Sequence, residues 1–270
     1  MLPRALRLLV MVIGWAGRAL AAERLPAAGE GGMVTDRPGF SESAAVVGAG
    51  MLQWESGFQF GRLGLDGERT TATVGPYPLL RLGVSRRVEL RFSGDGYRTE
   101  RRVGEAVRGL TDFVVGGKVK VWEQGRWRPD FAVVGTVGAV RGSRQYARAG
   151  WEPELKLCAE KDVAWGMVVG ANYNVASLVG QGGRGFERAH SLTVGHALGG
   201  TWSGFVETYS QRIDRAHGYA TAVDGGVTHP VGRHAQVDAY VGRTVRGARA
   251  EWFIGVGFSV QKSLLPWLPH

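Results

Sequence analysis

The sequence predicts an all-β chain, a transmembrane up-and-down antiparallel β-barrel of about 12 strands. Three observations predict it. Apolar and polar residues alternate in one run after another from Met51 onward, the period-two signature of strands with one greasy and one hydrophilic face. Glycine supplies 43 of the 270 residues, spread without a triplet period. So many poor helix formers favour strands with bends and close backbone approaches. The N-terminus has the three parts of an export signal.

That signal is short. Arg4 and Arg7 precede the apolar run Leu8–Ala16, and Ala19-Leu20-Ala21 offers small residues for cleavage near Ala21. The apolar run falls short of a comfortable membrane span. The formal charge is +9, which by itself suggests nucleic acid. Cleavage removes Arg4, Arg7 and Arg18, and an exported chain does not meet genomic DNA, so no nucleic-acid partner is expected. The lone cysteine, Cys158, can form no internal disulfide and belongs to no zinc-ligand spacing. The expected organisation is a signal peptide over 1–21, a periplasmic or lumenal segment over 22–50, the barrel over 51–262 and a tail over 263–270.

The clearest strands form a hairpin. Leu155, Leu157 and Ala159 oppose Glu154, Lys156, Cys158 and Glu160. After a turn at Glu160–Ala164, Trp165, Met167, Val169, Ala171, Tyr173 and Val175 oppose Gly166, Gly170, Asn172 and Asn174, with Val168 the one apolar exception. The rest follow in order. The first strand begins at Met51, with Leu52, Trp54, Phe58 and Phe60 against Gln53, Glu55 and Gln59. The second covers about Thr71–Val84, its early part broken by Pro76 and Pro78. The next three lie near Val88–Ser93, Leu110–Trp122 and Trp127–Val140. Beyond the hairpin come strands near Ala189–Leu198, Trp202–Ser210, Tyr219–Thr228, Ala235–Gly242 and Trp252–Val260.

Connections alternate in length. Short turns are expected at Ser85–Arg87, Glu123–Arg126, Glu160–Ala164, Leu198–Thr201 and His229–Arg233. Long loops are expected at Gly61–Arg69, Tyr97–Gly109, Arg141–Gly150, Ser177–Glu187, Gln211–Gly218 and Thr244–Ala250. Such asymmetry belongs to outer-membrane barrels. Arginines concentrate at the long-loop end: Arg101, Arg102, Arg144, Arg148, Arg184, Arg188, Arg246 and Arg249. Guanidinium forks there would meet lipopolysaccharide phosphates; ordinary solvated loops are the plainer alternative.

Alternation alone leaves open which face is inside, since a soluble barrel also alternates. Export, the high strand count and tryptophans near strand ends favour apolar-outward. The lumen would then carry Arg81, Glu89, Arg91, Lys118, Lys120, Glu154, Lys156, Glu160, Asn172, Asn174 and Asp238, with opposite charges able to pair across strands. A 12-strand barrel has a backbone diameter of roughly 24 Å, so any pore is narrow.

Four stretches carry a family resemblance: TDRPGFSES (Thr35–Ser43), QWESG (Gln53–Gly57), WEPELKL (Trp151–Leu157), and DGGVT (Asp224–Thr228) with Gln236–Gly242 and WFIGVGFS (Trp252–Ser259). In this order they resemble the transporter-like outer-membrane barrels of the MetA-pathway of phenol degradation family. The resemblance implies a barrel termed a transporter and transfers no substrate and no site residues. The closing KSLLPWLPH (Lys262–His270) departs from barrels that end on an aromatic residue.

Three functional readings follow. The first is a narrow outer-membrane channel for passive transport of small solutes, organic or aromatic compounds among them, with Thr35, Asp36, Arg37 and Pro38 in the lumen or at its periplasmic mouth. The second is a structural or lipopolysaccharide-binding barrel with a closed lumen. The third, an outer-membrane lipid hydrolase, lacks a nucleophile–base pair: His190 and Ser191 are adjacent and so face opposite sides of a strand. The chain is therefore not expected to be an enzyme, and no metal or cofactor is expected.

Overall fold

Side chains on the two faces of each strand meet opposite surroundings, and the polar face is the buried one. The computed structural model describes residues 33–264, apart from 66–67, 103, 148–149, 181–182, 214–218 and 248–249. The expected signal peptide and the tail beyond Leu264 lie outside the described residues. On the first strand Gln53 and Glu55 are fully buried while Trp54, Phe58 and Phe60 are exposed. The same inversion recurs around the wall: Arg81, Glu89, Lys118 and Glu207 are buried, and Leu90, Val119, Val206, Ile254 and Val256 are exposed. A water-soluble chain does not bury such charges and expose such a belt; a barrel facing lipid does. Trp127, Trp165 and Trp202 lie at or beside the lower turns and Trp151 and Trp252 towards the upper end, all exposed, as interfacial aromatics are.

The strand segments are β1 (Met51–Leu65), β2 (Glu68–Val74), β3 (Leu79–Gly83), β4 (Val88–Gly94), β5 (Tyr97–Arg102), β6 (Glu105–Leu110), β7 (Phe113–Trp122), β8 (Asp130–Val140), β9 (Glu154–Asp162), β10 (Met167–Gly180), β11 (Gly183–Gly199), β12 (Trp202–Ile213), β13 (Tyr219–Pro230), β14 (Ala235–Arg246) and β15 (Ala250–Ser263). All pairings are antiparallel, and β15 closes on β1 from Met51↔Ser263 to Gly64↔Ala250. Three staves are each made of two segments, β2 with β3, β4 with β5 and β6 with β7, so the wall is a closed 12-strand barrel.

The interruptions in those three staves are adjacent. Pro76 and Pro78 can donate nothing to a ladder. Opposite them Gly96 turns with φ 73°, and a Cβ there would lie 1.9 Å from the Pro76 carbonyl oxygen. Backbone hydrogen bonds still bridge the level: Gly75 N to Tyr97 O (2.9 Å), Gly94 N to Pro78 O (3.2 Å) and Thr111 N to Gly96 O (2.9 Å).

The long loops were expected to be longer than they are. Only the connection from Arg141 to Pro153 is an extended loop among those described. Elsewhere the ladder continues: β5 and β6 pair from Tyr97↔Leu110 to Arg102↔Glu105, and β10 and β11 to Gly180↔Gly183. Beyond the lipid a strand needs no apolar face, so hydrophobic alternation stops while hydrogen bonding does not. The lower turn of the central hairpin is likewise shifted: β9 runs to Asp162, and one 3-10 turn, Ala164–Gly166, follows. The free edge of β6 is covered by the Arg141–Pro153 loop. Ser143 N donates to Leu110 O (2.9 Å), and the Tyr146 hydroxyl donates to Val107 O (3.1 Å). That cover blunts an otherwise unpaired strand edge.

Candidate functional site

The hollow of the barrel holds the chain's own N-terminal segment. Residues 33–50 precede β1, with Asp36, Ala44, Ala45 and Val47 buried. Gly50 closes the run at the lower end, its N–H donating to Gly83 O (2.8 Å) and its carbonyl accepting from Leu264 N (2.9 Å). This segment is a plug, and its residues contact staves round the wall, from β1, β4 and β7 through β9, β11 and β12 to β14.

On one side Asp36 faces cations. Its carboxylate accepts from Lys118 Nζ (2.8 Å) and Arg91 Nη1 (2.7 Å), and from the Ser43 N–H (3.0 Å) and hydroxyl (2.8 Å). Arg81 stands 3.4 Å away. Glu42 takes Arg91 Nη2 (3.0 Å) and Lys156 Nζ (2.8 Å). The wall supplies acids of its own. Glu89 accepts the Arg81 fork (2.9 and 3.0 Å), Arg91 Nη1 (2.9 Å) and the Val47 N–H (2.7 Å). Glu55 accepts Arg81 Nη1 (3.0 Å), the Gln53 amide (2.8 Å) and the N–H groups of Asp36 (3.0 Å) and Arg37 (3.1 Å). In this buried network the wall sets Arg81, Arg91, Lys118 and Lys156 against Glu55 and Glu89, and the plug's Asp36 and Glu42 make up the missing negative charge. Buried charges are tolerable only when paired and fully hydrogen-bonded, so the plug completes what the wall leaves open.

On the other side the signs reverse. Arg37 forks onto Asp238 (Nε to Oδ2 3.2 Å, Nη2 to Oδ1 2.9 Å) and lies 4.7 Å from the centre of the Tyr77 ring. Glu207 accepts the N–H groups of Phe40 (2.5 Å) and Ser41 (2.7 Å), and the Phe40 ring stacks on Tyr209 at 4.4 Å. Burial opposes the charge on Asp36, yet Arg81, Lys118 and Arg91 outweigh it and hold the carboxyl well below the usual carboxylate range. Burial is likewise outweighed at Glu42, where Arg91 and Lys156 bring the carboxyl down to about 2.

The expected lining divides. Arg81, Glu89, Arg91, Lys118, Lys156 and Asp238 all contact the plug or its network, as do Asp36 and Arg37; the Thr35 hydroxyl accepts from the Gln236 amide (2.9 Å), and Pro38 continues the plug. Lys120 instead pairs with Asp130 (2.8 Å), and the more exposed Glu154 lies 3.7 Å from Lys156. Glu160 lies across from Asp130 and Gly170 in the ladders and meets the plug through a hydrogen bond from the Ala44 backbone. Asn172 and Asn174 are buried in the lumen, and each side-chain oxygen lacks a protein donor among the described residues, as does Asp224 Oδ1. Opposite charges do pair across neighbouring strands, on the diagonal: Arg81 with Glu89 and Glu55, and Lys120 with Asp130. Arg81 stands opposite Arg91, and it is Glu89 and the plug that reconcile them.

The structure adds Glu42, Glu55, Glu207, Asp224, Tyr77 and Tyr240 to the residues the sequence predicts for the site. Parity was the available signal for Glu55, which falls on the polar face read for β1; the face of β12 that carries Glu207 also carries Phe205 and Tyr209 and gives no such signal. The rim arginines also need relocation. Arg101 and Arg102 lie on β5, Arg184 and Arg188 on β11 and Arg246 on β14, so they belong to strand extensions; Arg144 lies in a turn. Arg184 donates to Trp151 O (2.9 Å) and to the Ser177 hydroxyl. Arg148 and Arg249 lie outside the described residues. His190 is exposed on the outer face while Ser191 is buried and bonded to the Ser41 hydroxyl (2.6 Å), so the two stand on opposite sides of the wall.

Solved structures share the architecture. The COG4313 outer membrane channel from Pseudomonas putida F1 superposes with a TM-score of 0.66 at 12% identity, covering 84% of this chain and 99% of that one. The beta domain of the Bordetella autotransporter BrkA gives 0.55 at 11% identity, covering 78% and 99%. The translocator domain of the autotransporter NalP from Neisseria meningitidis gives 0.54 at 10% identity, covering 79% and 89%. At such identities the likeness establishes the fold. No curated protein sequence matches the chain significantly. A family match covers residues 35–261, from the plug to the end of the last stave, and the chain belongs to the family described as putative MetA-pathway of phenol degradation.

Proposed function

We propose that the protein is a passive outer-membrane channel for small solutes, closed at rest by residues 33–50. The observation that carries this reading is a polar, charge-lined lumen whose filling is a separate segment held by ion pairs and hydrogen bonds. Such contacts can exchange for water or for a polar solute, whereas a packed apolar core cannot. Support comes also from the likeness to the P. putida outer membrane channel. The description of the family makes small organic and aromatic compounds the solute class to test. Asn172, Asn174 and Asp224 offer acceptors along the path. On this reading the mature chain works in the outer membrane after cleavage near Ala21, and the lumen does the work of passage without covalent chemistry. The test is conductance in planar bilayers together with uptake of phenol and a solute panel by a deletion strain. Solute-dependent uptake and conductance support the channel. A well-inserted protein with neither rejects it.

A specific observation favours lipopolysaccharide as a partner of the outer face. Arg243, Trp252, Arg62, Thr71 and Arg101 are successive ladder partners on β14, β15, β1, β2 and β5, and the three arginines are exposed. An outward row of guanidinium groups beside an interfacial tryptophan matches lipid A phosphates. Replacing Arg62 and Arg243 by alanine is expected to weaken lipopolysaccharide binding and leave permeability unchanged; unchanged binding overturns it.

A further inference from the structure

Arg37 sits in a slot built by the barrel wall. Gly57 and Gly257 are ladder partners on β1 and β15, and a Cβ on either would fall on the guanidinium, 2.6 and 2.2 Å from Nη2. Asp238, fully buried in its side chain, closes the slot with two acceptor oxygens. Tyr77 lies against the guanidinium, with its centroid 4.7 Å away, and Tyr240 flanks it at 6.0 Å. The two tyrosines are themselves fixed. Their hydroxyls are 2.8 Å apart, Tyr240 donates to Gln59 Oε1 (2.8 Å), and its ring occupies the space a Cβ at Gly255 would need. Asp238, Tyr77, Tyr240, Gln59 and the three glycines all belong to the barrel, so the slot persists when its occupant leaves.

The geometry points to a guanidinium-binding site in the lumen, for which Arg37 is the resident occupant and a guanidino solute the displacing ligand. This rests on the plug being displaceable, as the channel reading requires. Its chemistry is specific. The glycine walls admit a flat group, the carboxylate accepts a two-pronged donor, and the aromatic faces favour a cation that stacks. A compact ammonium meets the charge but not the shape. When Arg37 withdraws, Asp238 is left buried without its partner, which opposes opening. A guanidino solute removes that penalty by taking the same place.

The test uses the full mature chain in lipid nanodiscs with methylguanidinium as probe and methylammonium as its round counterpart. Arg37→Ala is expected to bind methylguanidinium about tenfold more tightly than methylammonium, and wild type, its slot filled, about tenfold more weakly than the variant. Arg37→Ala/Asp238→Asn is expected to lose the preference. Equal binding of the two probes by a folded Arg37→Ala barrel, or no binding, overturns the site. Wild-type single-channel recording gives a second route should the variant not fold: methylguanidinium raises the open probability and methylammonium does not, and a flat response to both overturns the displacement. Conductance of Arg37→Ala without ligand is a separate readout of the plug. A conducting variant indifferent to methylguanidinium rejects the slot and leaves the channel; a silent variant that binds it keeps the slot and rejects the plug as the gate.

Discussion

Asp36 and Arg37 are neighbours in sequence whose side chains turn to different staves, Asp36 to Arg81, Arg91 and Lys118 on β3, β4 and β7, Arg37 to Asp238 on β14. Both backbone N–H groups donate to Glu55 on β1. Asp36→Asn leaves Lys118 and Arg91 with a lost charge partner; breaking a buried pair costs about 3–5 kcal/mol. The expected result is a higher open probability in bilayers and faster protease cleavage within 33–50. Gly257→Ala places a methyl 2.2 Å from Arg37 Nη2, so the side chain must withdraw at a cost of about 1–3 kcal/mol. It is expected to open the channel more weakly than Asp36→Asn. Acid gives an independent check. The Asp36 and Glu42 carboxyls are depressed, so their contribution to closure is present above the ordinary carboxylate pKa and lost as pH falls through the bound-state values. Conductance is therefore expected to stay low through pH about 4, where free carboxylates titrate, and to rise as pH approaches about 2, where Glu42 takes its proton.

At the scale of elements, each stave reads as a strand because lipid and lumen demand different side chains from alternate positions. That demand makes β9, β10, β14 and β15 legible from sequence: Leu155, Leu157, Val237, Val241, Ile254 and Val256 mark an apolar face, which the structure turns outward. It ended where the lipid ends. Tyr97–Leu110, rich in arginine and glutamate, carries no apolar stripe, so its pattern predicts a loop although the backbones of β5 and β6 pair throughout. The breaks at Gly75–Pro78 were legible because proline removes a donor outright; those at Asp95–Gly96 and Thr111–Asp112 follow from their neighbours and have no comparable local mark. The lipid face itself can be tested on β15. Val256→Arg puts a charge midway along the stave, which costs about 2–4 kcal/mol if that point lies near the bilayer midplane. Denaturant unfolding from phospholipid vesicles is expected to show that loss, and an unchanged midpoint would contradict the outward orientation of Val256.

The whole molecule is a closed wall whose charge is incomplete and a segment that completes it. Sequence patterning reveals the wall, since periodicity is local. The plug has no periodicity, and its partners are 18 to more than 200 residues away, as with Arg37 and Asp238. Only the motif Thr35–Ser43 marked it, and the choice between lumen and periplasmic mouth depended on contacts that no spacing encodes. Glu207 and Glu42 escaped notice for the same reason: each is an ordinary acid until the opposite wall is in view. The most direct test of the lumen as conduit and the segment as its closure is single-channel conductance of the mature chain beside a form lacking residues 33–50. The expected result is rare openings in the first and sustained open steps in the second, both forms inserting equally. Equal and negligible conductance from an inserted, plug-less barrel would contradict it.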